Sequence, residues 1–120
     1  MQNHFQLDEP EKWHCCITSD IRNHQPLVVE LTRQEPDDIC WLFFPKLFYC
    51  EAPQGNAWDS ADFSVALPQD ALRYLRKFDA LSQIDDRTLL RDYFVYYLDS
   101  SDGPVRIVSI GRGEPRNEAP

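Results

Sequence analysis

The chain has 120 residues, and its hydrophobic fraction of 42% and aromatic fraction of 12% indicate one folded domain rather than a disordered segment. Twenty acidic residues against twelve basic ones give a net charge of −8, which opposes direct binding to nucleic acid. The longest apolar run, residues 39–44, is too short to span a membrane, and the N-terminus shows no signal-peptide pattern, so we expect a cytoplasmic protein.

The first half of the chain predicts β-strands. Residues 13–18 and 27–32 are rich in β-branched or aromatic side chains and are separated by an Asn-His-Gln-Pro turn. Residues 39–44 form a continuous apolar run between two prolines, which is typical of a strand buried on both faces, and residues 46–51 continue it after a kink. Residues 62–67 alternate between apolar and polar side chains, which predicts a half-exposed strand.

Two helices follow in the second half. Residues 69–81 place apolar side chains on one stripe, with an acid in the first turn and basic residues later, as the helix dipole favours. Asp85 or Asp86 can cap a short helix over residues 87–93.

The next segment is ambiguous between helix and hairpin. A period of four would join Leu90, Phe94 and Leu98 on one face of a helix. We favour a hairpin of residues 94–98 and 105–110, because both arms are β-branched or aromatic and the Asp-Ser-Ser-Asp-Gly segment between them predicts a turn.

These elements predict the α+β class: a single domain over residues 1–120, with a mostly antiparallel sheet and one or two helices packed on one side. The polar, proline-flanked ends, residues 1–10 and 112–120, are expected to be flexible.

Enzymatic and metal sites find little support in the sequence. A catalytic cysteine would need a positioned histidine such as His14 or His24, whereas apolar strand surroundings keep a thiol inert. The cysteines are therefore expected to be reduced and mostly buried; they are Cys15, Cys16, Cys40 and Cys50. A loose group of His4, His14, Cys15, Cys16 and His24 lacks zinc-site spacing.

The remaining motifs have structural explanations. The Asp-Ser-Ser-Asp-Gly segment does not have the register of a calcium loop, and the four glycines form no phosphate-binding motif. The adjacent acids Asp37/Asp38 and Asp85/Asp86 fit turns and caps, because neighbours on a strand point to opposite faces. We therefore expect no catalytic residue, no metal and no cofactor.

The distribution of charge along the chain is uneven. Residues 34–72 carry seven acids and one base, Lys46, giving −6, whereas residues 1–33 carry −2 and residues 73–120 are neutral. A field of one sign attracts a partner of the other sign and speeds the encounter. The alternative is that the acidity only keeps the protein soluble.

This acidic third supplies the candidate binding residues. Carboxylates two residues apart on a strand are about 6.6 Å apart, comparable to successive phosphates of a nucleic acid. Trp58 is a candidate exposed anchor or, alternatively, a loop residue that plugs the core. The predicted partner-binding residues are Glu35, Asp37, Asp38, Glu51, Trp58, Asp59, Asp62 and Asp70.

The chain length and the acids in EPDD (35–38), Glu51 and WDSAD (58–62) resemble two groups of small bacterial proteins. Resemblance to DNA mimic proteins implies a non-enzymatic monomer whose carboxylates occupy the basic DNA-binding surface of a partner, such as a histone-like nucleoid protein or a repressor. Resemblance to immunity proteins implies an inhibitor of a nuclease toxin. A small enzyme with an unrecognised site is the third alternative.

Overall fold

The computed structural model describes residues 2–35 and 37–120. In these residues nine strands form two antiparallel sheets and two helices pack beside them, which confirms the α+β class. In chain order the elements are β1 (His14–Ile17), β2 (Leu27–Arg33), β3 (Asp38–Phe44), β4 (Leu47–Glu51), β5 (Ala57–Asp59), β6 (Ser64–Val65), α1 (Pro68–Leu75), α2 (Asp86–Asp92), β7 (Tyr93–Tyr97), β8 (Arg106–Ile110) and β9 (Glu114–Arg116). Short 3-10 turns occupy Pro10–Lys12 and Asp79–Leu81.

The two sheets form a sandwich instead of the single sheet expected from the sequence. One sheet has the order β5-β1-β2-β3-β9 and the other the order β4-β8-β7-β6. The expectation that residues 46–51 extend the strand at 39–44 is wrong, because the chain passes at Pro45 from β3 into the other sheet, where β4 pairs with β8. Proline cannot donate a ladder hydrogen bond, so it suits this change of sheet.

The main core lies between the sheets. Along β2 the side chains alternate, and Leu27, Val29 and Leu31 are fully buried. Tyr96 and Ile107 meet them from the four-stranded sheet. The side chains of β1, β2 and β3 that alternate with the core positions form the outer face of the five-stranded sheet: His14, Cys16, Val28, Glu30, Thr32, Ile39, Trp41 and Phe43.

The helices form a third layer on the far side of the four-stranded sheet. Ala71, Leu75 and Leu89 cluster there with Val95 and Val108. Within the described residues, the outer face of the five-stranded sheet has no such cover. Neither helix has the length and apolar composition needed to cross a membrane, and the rest of the described chain offers no such helix.

The predicted hairpin is confirmed by pairing of β7 with β8 in a register that sets Tyr93 opposite Ile110. Asp85 caps α2, accepting a hydrogen bond from the Thr88 amide at 2.7 Å, as one of the two predicted caps. The helix expected over residues 69–81 ends at Leu75.

The early end of α1 reflects tertiary packing. Phe78 has extended backbone, with φ −96° and ψ 117°. Its ring packs against Phe48 and Tyr49 at centroid distances of 5.3 and 5.1 Å. These aromatic contacts outweigh the helical preference of the sequence, as tertiary context often does.

Three strand assignments from the sequence need correction. The predicted strand at 62–67 is reduced to the two residues of β6. Strand β5 lies in the predicted loop and pairs with His14–Cys16 of β1. Strand β9 lies in the tail expected to be flexible and pairs with Trp41–Phe43 of β3.

The segments expected to be flexible, residues 1–10 and 112–120, each contain a residue packed in the core, although residues 117–120 are exposed. Phe5 is 7% exposed, and its ring lies 5.6 Å from the Tyr96 ring and 6.2 Å from the Phe44 ring. Buried Gly113 donates its amide hydrogen to the Tyr96 hydroxyl at 2.8 Å. A Cβ at position 113 would lie 2.6 Å from the Phe44 ring, so glycine is required there.

We predict that replacing Tyr96 by Phe lowers the free energy of unfolding by about 1–3 kcal/mol, because the buried Gly113 amide loses its acceptor while the ring packing remains. Urea denaturation monitored by circular dichroism measures this loss.

Tyr93→Phe is the matched control, since the Tyr93 hydroxyl makes no hydrogen bond within the described chain. This variant should stay within about 0.5 kcal/mol of the parent. Equal losses in the two variants would mean that the Tyr96 hydrogen bond contributes nothing.

Candidate protein-binding surface

Acidic side chains meet at one end of the five-stranded sheet. Because neighbouring strands are antiparallel, β5 ends, β2 ends and β3 begins at this same end, which places Asp59, Arg33 and Asp38 there. Strands lie about 4.8 Å apart, so Asp59 and Asp38, three strands apart, are separated by roughly 14 Å across the sheet. The β2–β3 turn extends beyond this end and exposes Glu35 and Asp37.

The N-terminal segment lies beside β5 at the same end. The Ser60 hydroxyl donates to the Pro10 carbonyl at 2.7 Å, and the Trp13 amide donates to the Ser60 hydroxyl at 3.2 Å. This segment therefore adds its own carboxylates to those of the sheet: Asp8, Glu9 and Glu11.

The crossover from β5 to β6 connects this end to the four-stranded sheet. The amides of Ala61 and Asp62 both donate to the Asp99 carbonyl, at 3.2 and 3.1 Å. Asp99 follows β7, so the crossover lies against the β7–β8 hairpin. The Asp62 carboxylate accepts a hydrogen bond from the Gln2 amide at 2.7 Å.

Two further carboxylates, those of Asp99 and Asp102, belong to the β7–β8 hairpin, and that of Glu51 lies on the neighbouring β4. Arg106 of β8 forms an ion pair with Asp99 and lies opposite Glu51 of β4 in the register. Asp102 is exposed in the hairpin turn, where its amide donates to the Ser100 hydroxyl at 3.0 Å. The loop end of the four-stranded sheet is thus acidic as well.

We call this combined surface the acidic end. Its members are Asp8, Glu9, Glu11, Glu35, Asp37, Asp38, Glu51, Asp59, Asp62, Asp99 and Asp102. Three bases accompany these eleven acids, namely Lys12, Arg33 and Arg106, which leaves a formal charge of −8. The other nine acids and nine bases of the chain balance, so these fourteen residues together account for the net charge of the protein.

Arg33 is the buried cation of the acidic end. Its side chain is 5% exposed, and its guanidinium donates to the carboxylates of Asp8 and Asp38 at 3.1 and 3.2 Å. The guanidinium also lies 4.7 Å from the centre of the Trp13 ring. Burial lowers the pKa of Arg33, but hydrogen bonding and charge from Asp8 and Asp38 outweigh burial and raise it. One cation thus joins the N-terminal segment to the start of β3.

Many other carboxylates of the acidic end face solvent. The Asp59 side chain is 82% exposed and lies 2.9 Å from Nδ1 of His14. Among the described residues, six acids have no Lys, Arg or His nitrogen within ion-pair distance: Glu11, Glu35, Asp37, Glu51, Asp62 and Asp102. These charges are available to a cationic ligand.

Five of the eight predicted site residues lie at or beside one end of the five-stranded sheet: Glu35, Asp37, Asp38, Asp59 and Asp62. Glu51 lies on β4 of the other sheet, near Tyr74 of α1, whose pKa is raised by burial and then by the charges of Tyr49 and Glu51. Asp70 lies elsewhere, in the first turn of α1, where its carboxylate is 3.3 Å from the Arg73 guanidinium. The acids of the five-stranded sheet sit at strand ends and in a turn, so the expected regular spacing along one strand is absent from them.

Trp58 is not the exposed anchor considered from the sequence. Its residue is 1% exposed and lies opposite Cys15 in the pairing of β5 with β1. The strand alternation that turns Ala57 and Asp59 outward directs Trp58 into the core. The alternative interpretation, a residue that plugs the core, agrees with this position.

Sequence reasoning missed the acids at positions 8, 9, 11, 99 and 102 as site residues, because it summed charge along the chain. The predicted hairpin did place Asp99 and Asp102 at an exposed turn, which was the available signal. Their proximity to Asp62 arises only from the crossover between sheets, and no local pattern encodes it.

Three of the four thiols have a raised pKa and are not activated as nucleophiles. Burial, followed by the charge of Asp59, raises the pKa of Cys15. Burial is also the main cause that raises the pKa of Cys40 and that of Cys50, each to about 11. All four cysteines are free. Among the described residues, no three His, Cys, Asp or Glu side chains are arranged to hold a metal ion.

No family model, curated protein or solved structure significantly matches this chain. The functional argument therefore rests on the geometry and electrostatics of the molecule.

We predict that Arg33→Gln lowers the melting temperature by several degrees, because Asp8 and Asp38 would lose their shared cation and repel each other. Added salt should recover part of this loss in the variant, since it screens the repulsion. Thermal denaturation at low and high salt measures both effects.

Arg22→Gln is the matched control, because Arg22 and Asp20 form an exposed pair at 3.5 Å, a type of contact that contributes little to stability. Equal melting temperatures for the two variants, or a melting temperature of Arg33→Gln that does not change with salt, would contradict this prediction. The ion pairs of Arg33 would then not be what stabilises the acidic end.

We also predict that iodoacetamide at pH 7.5 modifies Cys40 and Cys50 slowly and that their rates rise as the pH approaches 11. A raised pKa means that the reactive thiolate forms only at higher pH. Mass spectrometry of peptides after timed quenching measures each site, and the urea-unfolded chain supplies the reference rates. Rapid modification of either residue at pH 7.5 would instead indicate an activated thiol.

Proposed function

We propose that this protein binds a basic DNA-binding protein through the acidic end and thereby competes with DNA for that partner's cationic surface. The observation that carries this proposal is the group of carboxylates at one end of the five-stranded sheet, where Asp38 and Asp59 lie at strand ends and Glu35 and Asp37 are exposed in the turn beyond. Acidity that served only solubility does not require such a group.

The proposed mechanism is electrostatic competition. A one-signed surface attracts a cationic partner and accelerates association. Each Lys or Arg that contacts a carboxylate of the acidic end is unavailable to a phosphate. The exposed charges of Glu35, Asp37, Glu51 and Asp102 are suited to this role, because no described cation neutralises them.

The class of partner follows from the same physics. A histone-like nucleoid protein or a repressor presents clustered Lys and Arg side chains to DNA, and it shares the cytoplasm proposed for this protein. The protein in this role is a non-enzymatic monomer that needs no cofactor. Binding should weaken as salt rises, because solvent-exposed ion pairs are screened.

We predict that neutralising the unpaired carboxylates weakens the competition. The variant Glu35→Gln/Asp37→Asn/Glu51→Gln/Asp102→Asn spares Asp38 and the Arg33 network and should preserve the fold. Exposed ion pairs contribute about 0.2–1 kcal/mol each, so four losses should reduce the affinity for a purified histone-like nucleoid protein by roughly tenfold. Displacement of fluorescent duplex DNA from that protein, at low and high salt, measures the change.

The matched control changes the net charge equally outside the acidic end: Asp79→Asn/Asp86→Asn/Asp92→Asn/Glu118→Gln. It should displace DNA as the parent does at low salt. Equal weakening in both variants would show that only total charge matters, and undiminished displacement by the first variant would refute the proposal. Retention of a nuclease toxin, without displacement of DNA from the nucleoid protein, would indicate the immunity function.

A further inference from the structure

The outer face of the five-stranded sheet carries apolar side chains that neither helix covers. Trp41 and Phe43 are half-buried there, and Ile39 is 42% exposed. Val28 lies opposite Phe43 in the register, so an apolar stripe crosses β2 and β3. Contiguous apolar area of this kind, rimmed by polar groups, marks protein contact sites.

The outer face also carries an acid without a cation. The Glu30 carboxylate accepts a hydrogen bond from the Trp41 indole nitrogen at 3.3 Å. Arg116 lies opposite Trp41 in the pairing of β3 with β9. Its guanidinium forms an ion pair with Glu114 at 2.7 Å and lies 3.8 Å from the centre of the Phe43 ring, so it does not neutralise Glu30. Within the described chain, no Lys or Arg nitrogen lies within ion-pair distance of Glu30.

A cavity opens at one margin of this face. Its volume is about 550 Å³, and it lies between the β1–β2 connection and the C-terminal residue. Pro26, Val28 and Phe43 supply apolar walls, and Arg22 supplies part of the polar wall. A space of this size accepts an inserted apolar or aromatic side chain.

The outer face is continuous with the acidic end. Asp59, His14, Thr32 and Ile39 form one cross-strand row from β5 to β3. A partner held over Asp59 reaches Ile39, at the other end of this row, by extending across β1 and β2 for about 14 Å.

We infer that the outer face is the second half of the partner-binding surface. The basic protein of the proposed function inserts an apolar side chain into the cavity beside Phe43, places a Lys or Arg on Glu30, and sets its remaining cations on the acidic end. This inference rests on the proposed function. A second copy of this chain is a poor occupant, because two molecules of charge −8 would bring their acidic ends together.

Trp41 provides a direct reporter of this contact. Trp13 and Trp58 are 3% and 1% exposed, whereas Trp41 is half-buried on the outer face. In protein labelled with 5-fluorotryptophan, Trp41→Phe assigns the Trp41 fluorine resonance. Addition of a purified histone-like nucleoid protein should shift or broaden that resonance and leave the other two nearly unchanged.

An affinity measurement provides the second test. Phe43→Ser should weaken binding to the same nucleoid protein by roughly tenfold or more, because truncating a central aromatic contact costs much of the interface energy. Leu67→Ser is the matched control, since Leu67 is 70% exposed and lies before α1, away from the outer face. If Phe43→Ser does not fold, the Trp41 resonance of the parent protein decides the question alone.

The outcomes separate the two proposals. An unmoved Trp41 resonance in the bound state would overturn this inference, while salt-sensitive binding that depends on Glu35, Asp37, Glu51 and Asp102 would still support the acidic end. A shifted Trp41 resonance with no effect of those four changes would support the outer face and refute the proposed role of the acidic end. A concentration-dependent Trp41 shift without the nucleoid protein, with a dimer mass in sedimentation equilibrium, would assign the face to a second copy and overturn the inference. Absence of any binding at low salt would overturn both.

Discussion

The guanidinium of Arg33 holds together the part of the molecule in which acids outnumber bases. It is almost fully buried at the end of β2, stacks on Trp13 and bonds Asp8 and Asp38. An unpaired buried charge would be costly, so the carboxylates that stabilise Arg33 must stay close to it. The carboxylates that remain unpaired around this network can then face solvent from a fixed backbone. Rigid presentation of charge matters for recognition, because a preorganised surface loses less entropy when a partner binds.

The local elements of this fold were largely predictable, and the contacts between distant elements were not. Local sequence predicts the strands at residues 27–32 and 39–44, because both are apolar runs. It also predicts the β7–β8 hairpin, because both of its arms are β-branched or aromatic. Strands β5 and β9 contain only three residues each and gain their ladder bonds from β1 and β3. Short edge strands of this kind have no periodic signal, since their pairing partner defines them.

The candidate site shows the same limit. Five predicted acids lie together, because strand ends, the β2–β3 turn and the start of the crossover meet at one end of the five-stranded sheet. Trp58 and Asp70 do not belong with them, because one faces the core and the other sits on a helix. Asp8, Asp99 and Asp102 join the surface through the crossover at residues 60–62, where hydrogen bonds link segments far apart in sequence. The sum of charges along a stretch of sequence therefore shows that a protein has an acidic region. It does not show which residues form that region on the folded surface.

The aromatic side chain of Tyr96 has a further consequence for the rate of folding. Phe5 stacks on this ring, and the distant Gly113 donates its amide hydrogen to the hydroxyl. The entropy of closing long loops must be overcome before contacts between such distant residues can form. A sandwich closed by them therefore folds more slowly than a domain built from local contacts.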